Sequence, residues 1–196
     1  MKQREESRQP ALHPILRRLA GGDRRSIGRA NQVVTAVLTR PELFDRVFEG
    51  ITSRDPLVRM RAADAAEKVS AKRPELLAPC KKKILHIAAR TEEQEIRWHM
   101  ALMIPRLPLT PRERGIAVDI LFDYLRDKSS IVKSWAMQAL ADLAARDEDL
   151  KPMIRPLVEE LTAVGTPAMR ARCRRILQRW DPRPVKSSRA RAVRNS

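Results

Sequence analysis

"VKSWAMQALADLA", residues 132–144, has two earlier counterparts in the chain: "IRWHMALMIPRL" at 96–107 and "VRMRAADAAEKV" at 58–69. Each opens on a branched aliphatic residue followed by a basic one, then places small or apolar residues at helical intervals. A helix written several times in one chain marks a repeat array, because a single helical hairpin cannot hide its own apolar face.

Aligned on Ile27, Val58, Ile96, Val132 and Met169, the segments step by 31, 38, 36 and 37 residues. The residue after the anchor is Arg59, Arg97, Lys133 or Arg170 in the last four. Offset 4 holds Asn31, Ala62, Met100, Ala136 and Cys173; offset 7 holds Val34, Ala65, Met103, Ala139 and Ile176; offset 11 holds Leu38, Val69, Leu107, Leu143 and Trp180. Offsets 0, 4, 7 and 11 share one stripe of an α-helix, and Asn31 is the one residue out of character.

Further apolar segments precede these helices, giving five expected pairs at 11–39, 41–71, 74–105, 111–145 and 150–180. Pro41, Pro74 and Pro111 suit a first helical turn, where the missing N–H has no partner to lose. "RPEL" occurs at both 40–43 and 73–76. Asp23, Asp55 and Thr166 are expected to cap second helices. Gly21, Gly22, Gly50 and Gly165 fall where first helices should end. Pro79 and Pro156 are tolerable near irregular helix starts, whereas Pro105 should end or kink its helix.

Composition agrees with an all-α chain. Of 196 residues, 43% are apolar, 33% charged and 4% aromatic, and only six are glycine. Forty Lys and Arg against 24 Asp and Glu give a net charge of +16, a field that attracts polyanions or acidic protein faces. Cys80 and Cys173 suggest no disulfide framework. No apolar run approaches the ~20 residues of a membrane span, and "MKQREESRQP" has no hydrophobic segment of a secretory leader, so a cytoplasmic protein is expected. Residues 1–10 read as a flexible arm. The stretch 181–196, with five basic residues and one acid, reads as a basic disordered tail.

The pattern V-R-x-x-A-x-x-A-L resembles HEAT repeats over about residues 11–180. The resemblance implies a right-handed α-α superhelix of about five HEAT-like helix pairs, of the armadillo type. It further implies a non-enzymatic scaffold or adaptor whose second helices line a concave face. An acidic protein or peptide is the expected partner. The expected binding residues are the ladder Arg59, Arg97, Lys133 and Arg170, with Arg174 beside it and Trp98 and Met137 as apolar contacts; Met60 extends that strip. Arg61, Arg172 and Arg175 add positive charge on the same helices. The ladder has a second reading, in which it neutralises carboxylates such as Asp55 or Asp127.

Two alternatives share the resemblance. One is a nucleic-acid-binding protein that holds DNA or RNA by the ladder and the tail. The other is a HEAT-like alkylpurine DNA glycosylase, for which Trp98, Trp135, Asp64, Glu67 and Asp142 are the candidates. Neither Trp has an acid four residues on: those places hold Leu102 and Ala139. The sequence has no GxxxxGK[ST], GxGxxG, GxSxG, CxxC or HExxH motif, so no catalytic residue, metal or cofactor is expected. Of the three histidines, His13, His86 and His99, His86 comes nearest to a thiol, but Cys80 is six residues away, about 240° around a helix.

Overall fold

The computed structural model describes residues 12–23 and 26–182. The expected arm at 1–10 and the tail beyond Pro182 lie outside the described residues. Among the described residues every regular element is helical. In order they are α1 (Pro14–Arg17), α2 (Ala30–Thr39), α3 (Phe44–Glu49), α4 (Pro56–Lys72), α5 (Lys81–Arg90), α6 (Gln94–Met103), α7 (Pro111–Tyr124), α8 (Ser130–Ala144), α9 (Lys151–Val164) and α10 (Pro167–Trp180). The chain divides into two compact units between Ala139 and Leu140, within α8.

In the first unit α2 packs on α4 and α4 on α6, while α1 meets α3 and α5 meets both α6 and α7. In the second, α9 packs against α10. The apolar stripe supplies the core. Val58, Ala62, Ala65 and Val69 on α4 are fully buried, as are Met100 and Met103 on α6, Val132 and Ala136 on α8, and Cys173 and Ile176 on α10. Each position lies about one or two helical turns from the next, so a single face of the helix is dried.

The first repeat departs from this register. Ile27 is 48% exposed and Asn31 is exposed, because α2 begins only at Ala30. Its buried residues are Ala30, Val33, Val34 and Val37. These match Ala62, Ala65, Ala66 and Val69 of α4 at a spacing one residue longer than that set by Ile27. Asp23 is correspondingly too far upstream to cap α2, whose N-cap is Arg29 without a side-chain bond. Asp55 does cap α4, accepting from the amides of Leu57 at 2.8 Å and Val58 at 3.4 Å, and Thr166 accepts from Met169 N–H at the start of α10.

The twin "RPEL" segments form twin 3-10 turns. Arg40 and Arg73 precede them with φ/ψ of −132/83° and −134/67°. Pro41 and Pro74 therefore open 3-10 turns, while Pro111 opens α7 as an α-helix. Pro79 falls inside the second turn, so α5 starts only at Lys81. Pro105 ends α6 at Met103, passing into a 3-10 turn. Pro156 sits inside α9 without ending it.

Two polar contacts fix α7. Thr110 and Glu113 form a reciprocal capping box, and Lys81 donates to the Glu113 carboxylate at 2.6 Å. The Lys81 hydrogen bond, followed by the Thr110 amide, draws the Glu113 carboxyl down to about 2. At the other end of α7, the buried Tyr124 hydroxyl donates to the Ala88 carbonyl at 2.8 Å, tying α7 to α5. Tyr124→Phe leaves that buried carbonyl unsatisfied, and chemical denaturation should show a loss of about 1–2 kcal/mol. An unchanged midpoint and slope would mean that water replaces the bond.

Candidate functional site

The basic ladder is half neutralised within the fold. The Arg59 guanidinium donates to Glu93 at 3.0–3.1 Å and to the carbonyls of Ser53 and Arg54 at 2.8 and 3.0 Å. Arg97 donates to Asp127 at 2.8 Å and to the Thr91 carbonyl at 2.7 Å, and lies 5.0 Å from the centre of the Tyr124 ring. Asp127 is thus a ladder partner, whereas Asp55 serves as a cap. Both arginines join one helix pair to the next: Arg59 of α4 to the start of α6, and Arg97 of α6 to the end of α7. Half-buried Lys133 has no ion pair or side-chain hydrogen bond among the described residues.

The apolar strip does not form as a surface. Met137 is fully buried. Its helix is dried over a wide arc that also includes Leu140, Ala141 and Ala144, so an offset of five from Val132 still faces protein. Met60 and Trp98 are half-buried. The Trp98 ring lies 4.7 Å from that of His99, and its Nε1, like His99 Nδ1, is buried without a hydrogen-bond partner among the described residues.

Arg61 is also no surface cation. It is 1% exposed and donates to four backbone carbonyls, those of Leu19, Gly21, Asp23 and Ser26, at 2.6–3.1 Å. Further along α4, Arg106 joins that helix to the end of α6 through the Glu67 carboxylate at 2.6 Å and Ser70 Oγ at 2.8 Å. The capping box and these two arginines went unread in the sequence. Thr110-x-x-Glu113 is a recognisable capping signature, but nothing local distinguishes Arg61 or Arg106 from surface arginines.

The second unit contains an arginine-rich helix. Helix α10, "PAMRARCRRILQRW", carries five arginines and no acid. Arg170 and Arg174, four residues apart, share one flank of it. Neither makes an ion pair or side-chain hydrogen bond among the described residues, and the same holds for exposed Arg175. Burial, then the charge of Arg175, lowers the pKa of Arg172 from its ordinary value. Arg179 reaches Asp142 at 3.8 Å. Across from α10, Arg155 of α9 forks onto Asp181 at 2.8 Å and lies 5.7 Å from the Trp180 ring centre.

The candidate acids of a glycosylase are each occupied: Asp64 by Lys68 at 2.8 Å, Glu67 by Arg106, and Asp142 by Arg179. Both thiols are buried. Burial and the adjacent Asp45 carboxylate push Cys80 up to about 11, and burial raises Cys173. Neither is a thiolate nucleophile near neutral pH. No helix among the described residues is long and apolar enough to cross a membrane, and no three His, Cys, Asp or Glu side chains there converge as metal ligands. No protein-family model matches the chain, and no match was found among curated proteins or solved structures.

Proposed function

We propose that the chain is a non-enzymatic, HEAT-like binding module that holds an acidic protein or peptide through α10. The right-handed superhelix expected from the sequence belongs to the same proposal. Support for the repeat comes from the first unit, where α2, α4 and α6 each pack on the next and Arg59 and Arg97 repeat one bridging role. The observation that carries the binding reading is the pair Arg170 and Arg174, which have no ion pair or side-chain hydrogen bond among the described residues, with Arg175 close by in sequence, on a helix without a carboxylate. Like charges crowded this way repel one another, and an anionic partner relieves that repulsion. Arg59 and Arg97 already have carboxylates and contribute structure more than contact.

The test is a fluorescence titration of the full chain with a labelled Asp/Glu-rich peptide at two salt concentrations. Arg170→Glu with Arg174→Glu should weaken binding roughly tenfold or more while leaving the melting temperature within a few degrees. Equal affinity in parent and variant removes α10 from the contact. A second reading rests on the same helix, whose charges are all guanidiniums, the group best matched to phosphate oxygens. Under that reading an oligonucleotide outcompetes an acidic peptide of equal charge, and log affinity falls steeply with log salt.

A further inference from the structure

We infer that the groove between α3 and α5 is a binding site for an amphiphilic carboxylate: a small ligand with a hydrocarbon body and one anionic head. The site is separate from α10 and does not depend on the reading given to it. Helix α3, the 3-10 turn Gly50–Thr52 that follows it, and α5 border an open groove of about 500 Å³. That lies within the roughly 300–1,000 Å³ usual for small-molecule sites.

The lining divides by chemistry. Phe48 and Ile87 give an apolar floor. Thr52 adds little polarity, since its hydroxyl donates to the Glu49 carbonyl at 3.0 Å. Along α5, Lys82, Lys83 and His86 form the opposite wall with Ile87. Residues 82 and 86, and 83 and 87, are one turn apart, so the wall is a single face of the helix.

Charge complementarity decides the occupant. Lys82 and Lys83 are exposed, and neither makes an ion pair or side-chain hydrogen bond among the described residues. Their neighbour Lys81 is the contrast, held by Glu113 and the Pro108 carbonyl. The one acid in the wall, Glu49, is already met by Arg46 at 3.1 Å. The Arg90 guanidinium donates to the His86 ring, adding positive charge at the far end of the same face. The groove thus presents two unpaired lysines against a single carboxylate that already has a cation, above an apolar floor. A purely apolar ligand would leave the lysines unused, and an inorganic anion would leave the floor wet.

Isothermal titration of the full chain with decanoate, below its micellar concentration, tests the site. Decanoate should bind, and octanoate should bind more weakly, by up to about fifteenfold if both lost methylenes are enclosed. Decyltrimethylammonium should bind at least tenfold more weakly than decanoate. Lys82→Glu with Lys83→Glu, both at the surface, should abolish decanoate binding without shifting the melting temperature. Ile87→Trp, which fills the groove, should do the same. The proposal is overturned if the intact chain takes no decanoate, if the double variant binds it unchanged, or if the cationic amphiphile binds as well. It is equally overturned if Arg170→Glu with Arg174→Glu removes decanoate binding, or if a leucine-bearing acidic peptide occupies the groove and decanoate does not.

Discussion

Arg61→Ala should lower the unfolding free energy by about 2–4 kcal/mol, a large effect for a single side chain. The guanidinium is 1% exposed, and its fork reaches four carbonyls between Leu19 and Ser26 at 2.6–3.1 Å. Alanine removes the donors and leaves those acceptors behind, the Leu19 carbonyl in a buried setting. The loop is shaped around the guanidinium. Gly28 has φ +54°, and a Cβ there would stand 3.0 Å from Arg61 Cζ. Gly22 has φ +81°, and its Cβ would lie 3.8 Å from Arg61 Nη2. Arg61→Lys should recover little, because an ammonium is a point donor and cannot span carbonyls set for a planar fork. Urea unfolding gives the free energy. Hydrogen exchange should report faster amides at Leu16 and Leu19 in the variant, since their bonds close the turns leading into the loop. A variant within 1 kcal/mol of the parent would show that the loop holds its shape without the guanidinium. Because small domains are stable by only ~5–15 kcal/mol, the predicted loss removes a large share of the total.

Arg61 also shows where reading the sequence stops. The stripe at Val58, Ala62, Ala65 and Val69 was legible because helical periodicity is local: four residues decide which face is dry. The same holds for Ile96 through Leu107 and Val132 through Leu143. The proline breaks were legible for a similar reason, since the ring acts on its own turn. Arg61 stands two residues after Arg59 and reads as more positive charge on the same helix, yet Arg61 is buried and Arg59 is a half-buried bridge. What separates them is a loop some forty residues upstream, and no local pattern encodes that approach. Met137 failed likewise. A hydrophobic residue off the main stripe is surface on a helix covered from one side and core on a helix covered from several, and coverage is a property of neighbours. Asn31 was a usable warning: an amide at a core offset was the sign that the first repeat is framed one residue too late.

Of the candidate site, the sequence shows which residues are basic but not which of them the fold neutralises. Arg170 and Arg174 have no ion pair among the described residues. Arg59 and Arg97 were equally basic in the sequence. Their partners Glu93 and Asp127 come from the segments 93–103 and 111–127, so their neutralisation depends on how successive helix pairs meet.

Acid should unfold this protein earlier than its basic composition suggests, and His99 is the reason. It is 4% exposed, lies against Trp98, and its Nδ1 has no hydrogen-bond partner among the described residues. Burial disfavours the imidazolium and lowers the His99 pKa from 6.5 to about 4, against an opposing pull from Asp64; Lys68 lowers it further and Glu95 raises it. In the unfolded chain the ring takes its proton near pH 6.5. Between 6.5 and 4 the unfolded chain therefore binds more protons than the folded one, and stability falls as pH falls. The contribution is fully present above 6.5 and fully lost below 4, and it amounts to roughly 3 kcal/mol. His99→Leu keeps an apolar filling of similar bulk and removes the titration. Its urea-unfolding free energy should stay flatter between pH 6.5 and 4 than that of the parent, the two curves diverging by roughly 3 kcal/mol across the window. Glu113, drawn down from 4.5 to about 2, adds its own loss as pH falls below about 4.5, and equally in both proteins. Parallel curves for parent and variant over this range would mean that the buried imidazole takes its proton without disturbing the fold, and that Trp98 and His99 border a space water can enter.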